Sequence, residues 1–197
     1  MPPRLDPTMA RDAEATKTRL LDAATDEFAA HGIAGARVDR IATVAKVNKS
    51  MIYTYFGGKD QLFDAVMNVH VTQLLDTVPF TPEDLPNYAG QLFDYLLANP
   101  HQLRLATWYR LERPITGVPT EVRSSMRDKA SALAAAQRAG TVPSTLAAED
   151  LLVFLLGLVT AWLPSSPNAV PNVAHDQLSG HRDAVVAAVR LIIHSGR

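Results

Sequence analysis

The chain has 197 residues, 47% of them hydrophobic, with 19 basic and 20 acidic side chains and a net charge of −1. It contains no cysteine, which excludes a disulfide framework and thiolate metal sites and points to a cytoplasmic location. A charge this close to zero excludes a uniformly basic nucleic-acid binder, so charge must be counted segment by segment.

The first ten residues hold Pro2, Pro3 and Pro7 and no apolar run. They read as a flexible tail, neither a signal peptide nor a membrane span. A helix is expected over about 11–30, with Leu20, Leu21, Ala24 and Phe28 as its apolar stripe and Gly32 marking its end. A short helix over about 38–46 carries Val38, Ile41, Ala42 and Ala45 on one face. A compact helix follows over 49–56, with Asn48 as its cap and Ile52 and Phe56 as its core side. Gly57-Gly58 breaks the chain, and a long helix is expected over about 59–77.

Five more helical stretches are expected, over about 83–99, 101–112, 120–139, 146–163 and 175–194. Prolines 100, 114, 119, 143, 164, 167 and 171 fall between them, where proline costs least. Residues 164–171 read as a loop. The fold class is therefore all-α: a three-helix N-terminal module over 11–58 and a helical bundle over 59–197. Residues 151–163 are apolar nearly all round, yet too few to cross a bilayer, which needs about 20. Such a helix must be buried on every face. We therefore expect a homodimer joined through the helices near 146–163 and 175–194, the latter offering Val185, Val186, Val189, Ile192 and Ile193.

The charge is concentrated in one place. Residues 37–59 contain Arg37, Arg40, Lys46, Lys49 and Lys59 against Asp39 alone, a local net of +4. The same segment is the helix, turn and second helix just described. Its two apolar faces close on each other only if the helices cross steeply, with Val47 plugging the turn. Lys49, Ser50, Tyr53, Thr54 and Tyr55 are then left on the outer side of the second helix. Cation, hydroxyls and aromatic rings are what a major groove can use.

The stretch resembles the DNA-binding domain of the TetR family of bacterial transcriptional regulators. Ile41-Ala42, Ala45, Val47, Ile52-Tyr53, Tyr55-Phe56, Lys59 and Leu62 stand in register with that family's pattern, and the likeness covers about residues 11–69. It implies a ligand-responsive repressor that binds a pseudo-palindromic double-stranded DNA operator as a dimer. On this resemblance Lys49, Ser50 and Tyr53 read bases, while Thr54, Tyr55, Lys59 and Arg37 hold phosphate. Two departures stand out. Lys46 occupies the turn position where the family usually has glycine; a positive φ there would cost on the order of 1 kcal/mol, to be offset by a phosphate contact from Lys46 or avoided by a differently shaped turn. Ala36-Arg37 replaces the usual hydroxyl pair ahead of the second helix.

For an unknown small-molecule effector, Phe93, His101, Arg104, Trp108, Met126 and Arg127 are the candidate pocket residues. Their rival reading is ordinary core, and the arginines would find partners equally in a ligand carboxylate, Asp94, Glu112 or solvent. No H-E-x-x-H, G-x-S-x-G, P-loop or G-x-G-x-x-G occurs, and no metal, cofactor or membrane is called for. An all-α enzyme without a recognisable motif, or a helix-turn-helix that binds protein, is the alternative reading.

Overall fold

The computed structural model describes residues 7–113, 120–164, 166 and 178–194. Nine α-helices occur among them, with no strand. They are α1 (Pro7–Gly35), α2 (Val38–Ala45), α3 (Ser50–Phe56), α4 (Lys59–Thr77), α5 (Leu85–Ala98), α6 (Pro100–Glu112), α7 (Thr120–Arg138), α8 (Ala148–Thr160) and α9 (Leu178–His194). A 3-10 turn, Pro82–Asp84, leads into α5, where the Asp84 carboxylate accepts the Asn87 N–H at 3.2 Å.

Two expectations shift at the ends. The N-terminal tail was expected to reach residue 10, but α1 begins at Pro7, a residue whose missing N–H costs nothing in a first turn. α1 also runs past residue 30, broken at Gly32 (φ 69°). The start of the last helix at 175, and most of the loop over 164–171, lie outside the described residues.

The chain divides into two compact units. The first takes the described residues up to His70 together with His101–Arg113; the second takes Val71–Pro100 and the described residues from Thr120 onward. This differs from a division after Gly58: the first part of α4 and almost all of α6 belong with the N-terminal helices. The reason is aromatic packing. Phe28 of α1 meets Phe63 of α4 edge-on at 5.0 Å, and Phe63 stacks on Tyr109 of α6 at 6.1 Å. Leu20, Ala24, Ile41, Ile52, Leu62 and Leu105 complete a core in which every one of these side chains is buried. Burial of each leucine or isoleucine among them stabilises by about 1.5–3 kcal/mol.

In the second unit, α5 packs on α8 and α9, and α7 packs on α8. Leu92 and Phe93 of α5, Leu133 of α7, Leu152, Leu155 and Val159 of α8, and Val185 and Val189 of α9 form its interior. Arg182 of α9 forks onto Asp94 of α5, with Nε donating to both carboxylate oxygens at 2.8 and 2.9 Å. No helix among the described residues is long and apolar enough to cross a membrane.

Candidate nucleic-acid interface

The turn between α2 and α3 is set by backbone chemistry. Lys46 follows α2 in the left-handed conformation (φ 54°, ψ 47°), the only positive φ at a non-glycine position among the described residues. The Lys46 N–H donates to the Thr43 carbonyl at 3.2 Å and the Val47 N–H to the Ala42 carbonyl at 3.0 Å. This is the paired closure that ends many helices, normally on glycine. Val47 folds inward against the core, as its spacing predicts. Of the two shapes open to this turn, the one with a positive φ is present, and Lys46 carries it with its side chain in solvent.

α3 starts at Ser50, one residue later than expected, because Asn48 organises its first turn. The Asn48 side-chain oxygen accepts both the Ser50 N–H (2.9 Å) and the Ser50 hydroxyl (2.8 Å). Ile52 is wholly buried and Phe56 partly so, which fixes the inner face. Tyr53 stands opposite, 51% exposed. Thr54 is exposed and donates its hydroxyl to the Ser50 carbonyl at 3.0 Å. Lys49 is exposed and pairs with Asp39 of α2 at 2.9 Å, a contact that raises its pKa. Surface pairs of this kind are weak. Tyr55 is half-buried against the core, edge-on to Phe56 at 6.5 Å.

At the entry to α2 the N-cap residue Arg37 makes no side-chain cap, and a carboxylate from α1 holds its backbone instead. Glu27 of α1 accepts the Arg37 N–H at 2.8 Å and the Arg40 Nε–H at 2.9 Å. Burial alone would raise the Glu27 pKa, but the Arg40 and Arg37 hydrogen bonds outweigh it and hold the carboxyl below its usual range. The Arg37 side chain stays exposed. Sequence reading missed Glu27 because its partners lie ten and thirteen residues away.

Lys59 departs from expectation. Its ammonium donates to the carbonyls of Ala34 and Ala36 at 3.3 and 3.2 Å. Carbonyls freed where α1 ends draw it inward, so it braces the α1–α2 connection where the sequence pointed to phosphate.

The six effector candidates do not come together. Phe93 is sealed in the second unit's core. His101, Arg104 and Trp108 belong to the first unit: His101 lies 3.7 Å from Asp26, and Arg104 Nε–H and the Trp108 indole N–H donate to the Ala29 carbonyl at 2.8 and 3.2 Å. Met126 and Arg127 are exposed on α7. None lines either of two cavities in the second unit. One, of about 470 Å³, lies between Thr72–Phe80 and Glu121–Lys129; the other, of about 600 Å³, lies among Pro82–Leu85, Gln137–Thr145 and the end of α9. Lys129, missed by sequence reading because it looks like any surface lysine, is buried in the first cavity against the Ser125 hydroxyl at 2.6 Å, and burial lowers its pKa.

Comparisons with known proteins point to one family. Residues 20–66 match the model described as bacterial regulatory proteins, tetR family, and residues 84–190 match the model described as tetracyclin repressor-like, C-terminal domain. The HTH-type transcriptional repressor SCO4008 of Streptomyces coelicolor is 38% identical over 189 residues, covering 93% of this chain and 98% of that protein. The crystal structure of SCO4942, also from Streptomyces coelicolor, superposes with a TM-score of 0.78 at 34% identity, covering 91% of this chain and 98% of that one. A TetR-like transcriptional regulator from Rhodococcus shares the fold at a TM-score of 0.65 and 19% identity, covering 92% and 97%.

Proposed function

The chain belongs to the TetR family of bacterial regulatory proteins and is a DNA-binding transcriptional regulator; we propose that it is a dimeric repressor released from its operator by a small molecule. The observation that carries this reading is the outer surface of α2–α3. There Lys46, Lys49, Ser50, Tyr53 and Thr54 are all exposed on a helix pair whose inner residues are locked in the core. Lys49, Ser50 and Tyr53 take the base edges; Arg37, Lys46, Thr54 and the Tyr55 hydroxyl take the backbone. Lys59 acts behind them, holding the connection from which α2 starts.

Two copies present two such surfaces, which reach successive major grooves when their centres lie about 34–36 Å apart. The pairing face we assign to α8 and α9, where Val153, Phe154 and Leu191 are exposed at 64, 51 and 70%. The effector is assigned to the cavity of about 470 Å³, whose apolar side is Leu75, Val78 and Phe80. Release requires that the effector bind unequally to the DNA-competent and incompetent states.

Selection of bound sequences from a random DNA pool, followed by binding across salt concentrations, tests the reading. An enriched inverted repeat and an affinity that falls steeply with salt are expected. Absence of both would return the helix-turn-helix to a protein-binding role.

A further inference from the structure

Residues 32–37 carry the end of α1 into the DNA-reading pair, and three side chains, from α1, α4 and α6, grip them. Gly32 adopts φ 69°, ψ −175°, and the chain changes direction there. Just beyond, the N–H groups of Ile33 and Ala34 both donate to one oxygen of Glu112, at 2.7 and 2.8 Å. Lys59 holds the carbonyls of Ala34 and Ala36, and Glu27 holds the Arg37 N–H. Of these three side chains only Glu112 comes from α6. Arg104, Trp108 and Glu112 are spaced four apart and share one face of that helix. All three end on α1 or on the residues after it: Ala29 from the first two, Ile33 and Ala34 from the last. Beside Glu112, Arg113 reaches Asp60 and Asp64 of α4 at 3.1 and 3.5 Å.

The approach is close. A Cβ at position 32 would lie 2.5 Å from a Glu112 oxygen and 2.8 Å from the Trp108 ring. Glycine is thus required there twice, for its backbone angle and to admit α6.

We propose that Glu112 is a positioning residue for operator binding: its carboxylate fixes the Gly32–Arg37 joint, and a shift of α6 that withdraws it weakens the hold on DNA. A charged acceptor shared by two backbone N–H groups is a strong contact. It is also a short-range one, since displacement by about 1 Å takes both hydrogen bonds out of range. α6 starts at Pro100, in the second unit, so its far end is where that unit's state reaches it through the chain. The proposal rests on the regulator reading above and names the residue through which that regulation acts.

The experiment compares full-length parent and Glu112→Gln on the operator recovered by selection. Glu112→Gln is expected to bind about tenfold more weakly, because the joint must now be ordered on binding. Its salt slope should equal the parent's, since no phosphate contact is lost, and its thermal midpoint should stay within a few degrees. In the parent, operator should slow hydrogen exchange at the Ile33 and Ala34 amides; in the variant that protection should shrink. Gly32→Ala should mimic the variant by pushing Trp108 and Glu112 away. Equal operator affinity for parent and Glu112→Gln, or amide protection unchanged by operator, overturns the assignment. A loss wholly matched by a falling melting point reduces Glu112 to a structural cap. If the parent enriches no sequence at all, the regulator reading fails and the role of Glu112 with it.

Discussion

At the scale of single residues, Lys46 shows how a local rule is broken and compensated. A side chain in the left-handed region costs about 1 kcal/mol relative to glycine, and this one holds the tightest turn of the DNA-reading motif. Lys46→Gly should therefore raise the thermal midpoint by about 2–4 °C, the shift expected per kcal/mol at this chain length. In exchange, the dependence of log affinity on log salt should flatten by about one unit per half-site as a phosphate contact is lost. Calorimetry and a salt titration on the same preparation check both. A variant that gained stability with an unchanged salt slope would remove Lys46 from the interface. The turn was legible in sequence because helix endings obey local backbone chemistry: Val47, Ala42 and the missing glycine are all within six residues. Lys59 was not. Its ammonium is drawn by carbonyls more than twenty residues away, and nothing in its own neighbourhood distinguishes an inward lysine from an outward one. The same is true of Glu27, whose carboxylate holds the Arg37 N–H and the Arg40 side chain at the entry to α2.

At the scale of elements, the helix pattern was readable from apolar spacing and proline placement, yet the allegiance of α6 was not. Trp108 and Arg104 looked like pocket residues because aromatic and basic groups share a helix there; the structure instead ties them to a backbone carbonyl of α1. The start of α6 is fastened by a second polar cluster. Thr25 donates its hydroxyl to the Leu21 carbonyl at 2.9 Å, so toward His70 Nε2, 3.1 Å away, it acts as acceptor. The buried Gln102 amide lies 3.4 Å from His70 Nδ1 and donates to the His70 carbonyl at 2.9 Å. This arrangement suits a neutral ring with its proton on Nε2. A second proton on Nδ1 would face the Gln102 NH2 group, donor against donor. Burial and the neighbouring His101 both lower the His70 pKa, while Asp22 opposes them weakly. With the folded value below the unfolded 6.5, the unfolded chain takes up the proton first. Stability contributed by neutral His70 is thus intact above about pH 6.5 and is lost as pH falls below it. The unfolding midpoint should decline between pH 7.5 and 5.5, and His70→Gln, though less stable at pH 7.5, should show a shallower decline. Equal slopes for both proteins would assign the acid sensitivity to other groups.

At the scale of the whole molecule, the decisive feature is an apolar surface that stands exposed among the described residues. α8 is apolar nearly all round, and its two sides have different fates. Leu151, Leu152, Leu155 and Val159 face the second unit's interior, while Val153 and Phe154 stand in solvent. A Cβ at Gly157, one turn on, would meet no atom within 4 Å from the described residues beyond its neighbours and its own helix backbone. On α9, Val185 and Val189 turn inward, and Ala184, Ala187 and Leu191 turn out. Scattered exposed aliphatic residues are ordinary, but adjacent rows on two packed helices form a patch that water disfavours. A second copy related by a two-fold axis would cover it with the same two helices. Because Phe154 is 51% exposed, Phe154→Glu should leave the helical circular dichroism signal intact and shift the protein from dimer to monomer in sedimentation. Operator affinity should fall on the order of 100-fold or more, since one half-site would then be held without the effective concentration supplied by the other. A Phe154→Glu protein that still sedimented as a dimer would move the pairing face away from α8. One that became monomeric yet kept full affinity would mean that a single α2–α3 surface suffices for recognition, and the inverted repeat would no longer be required.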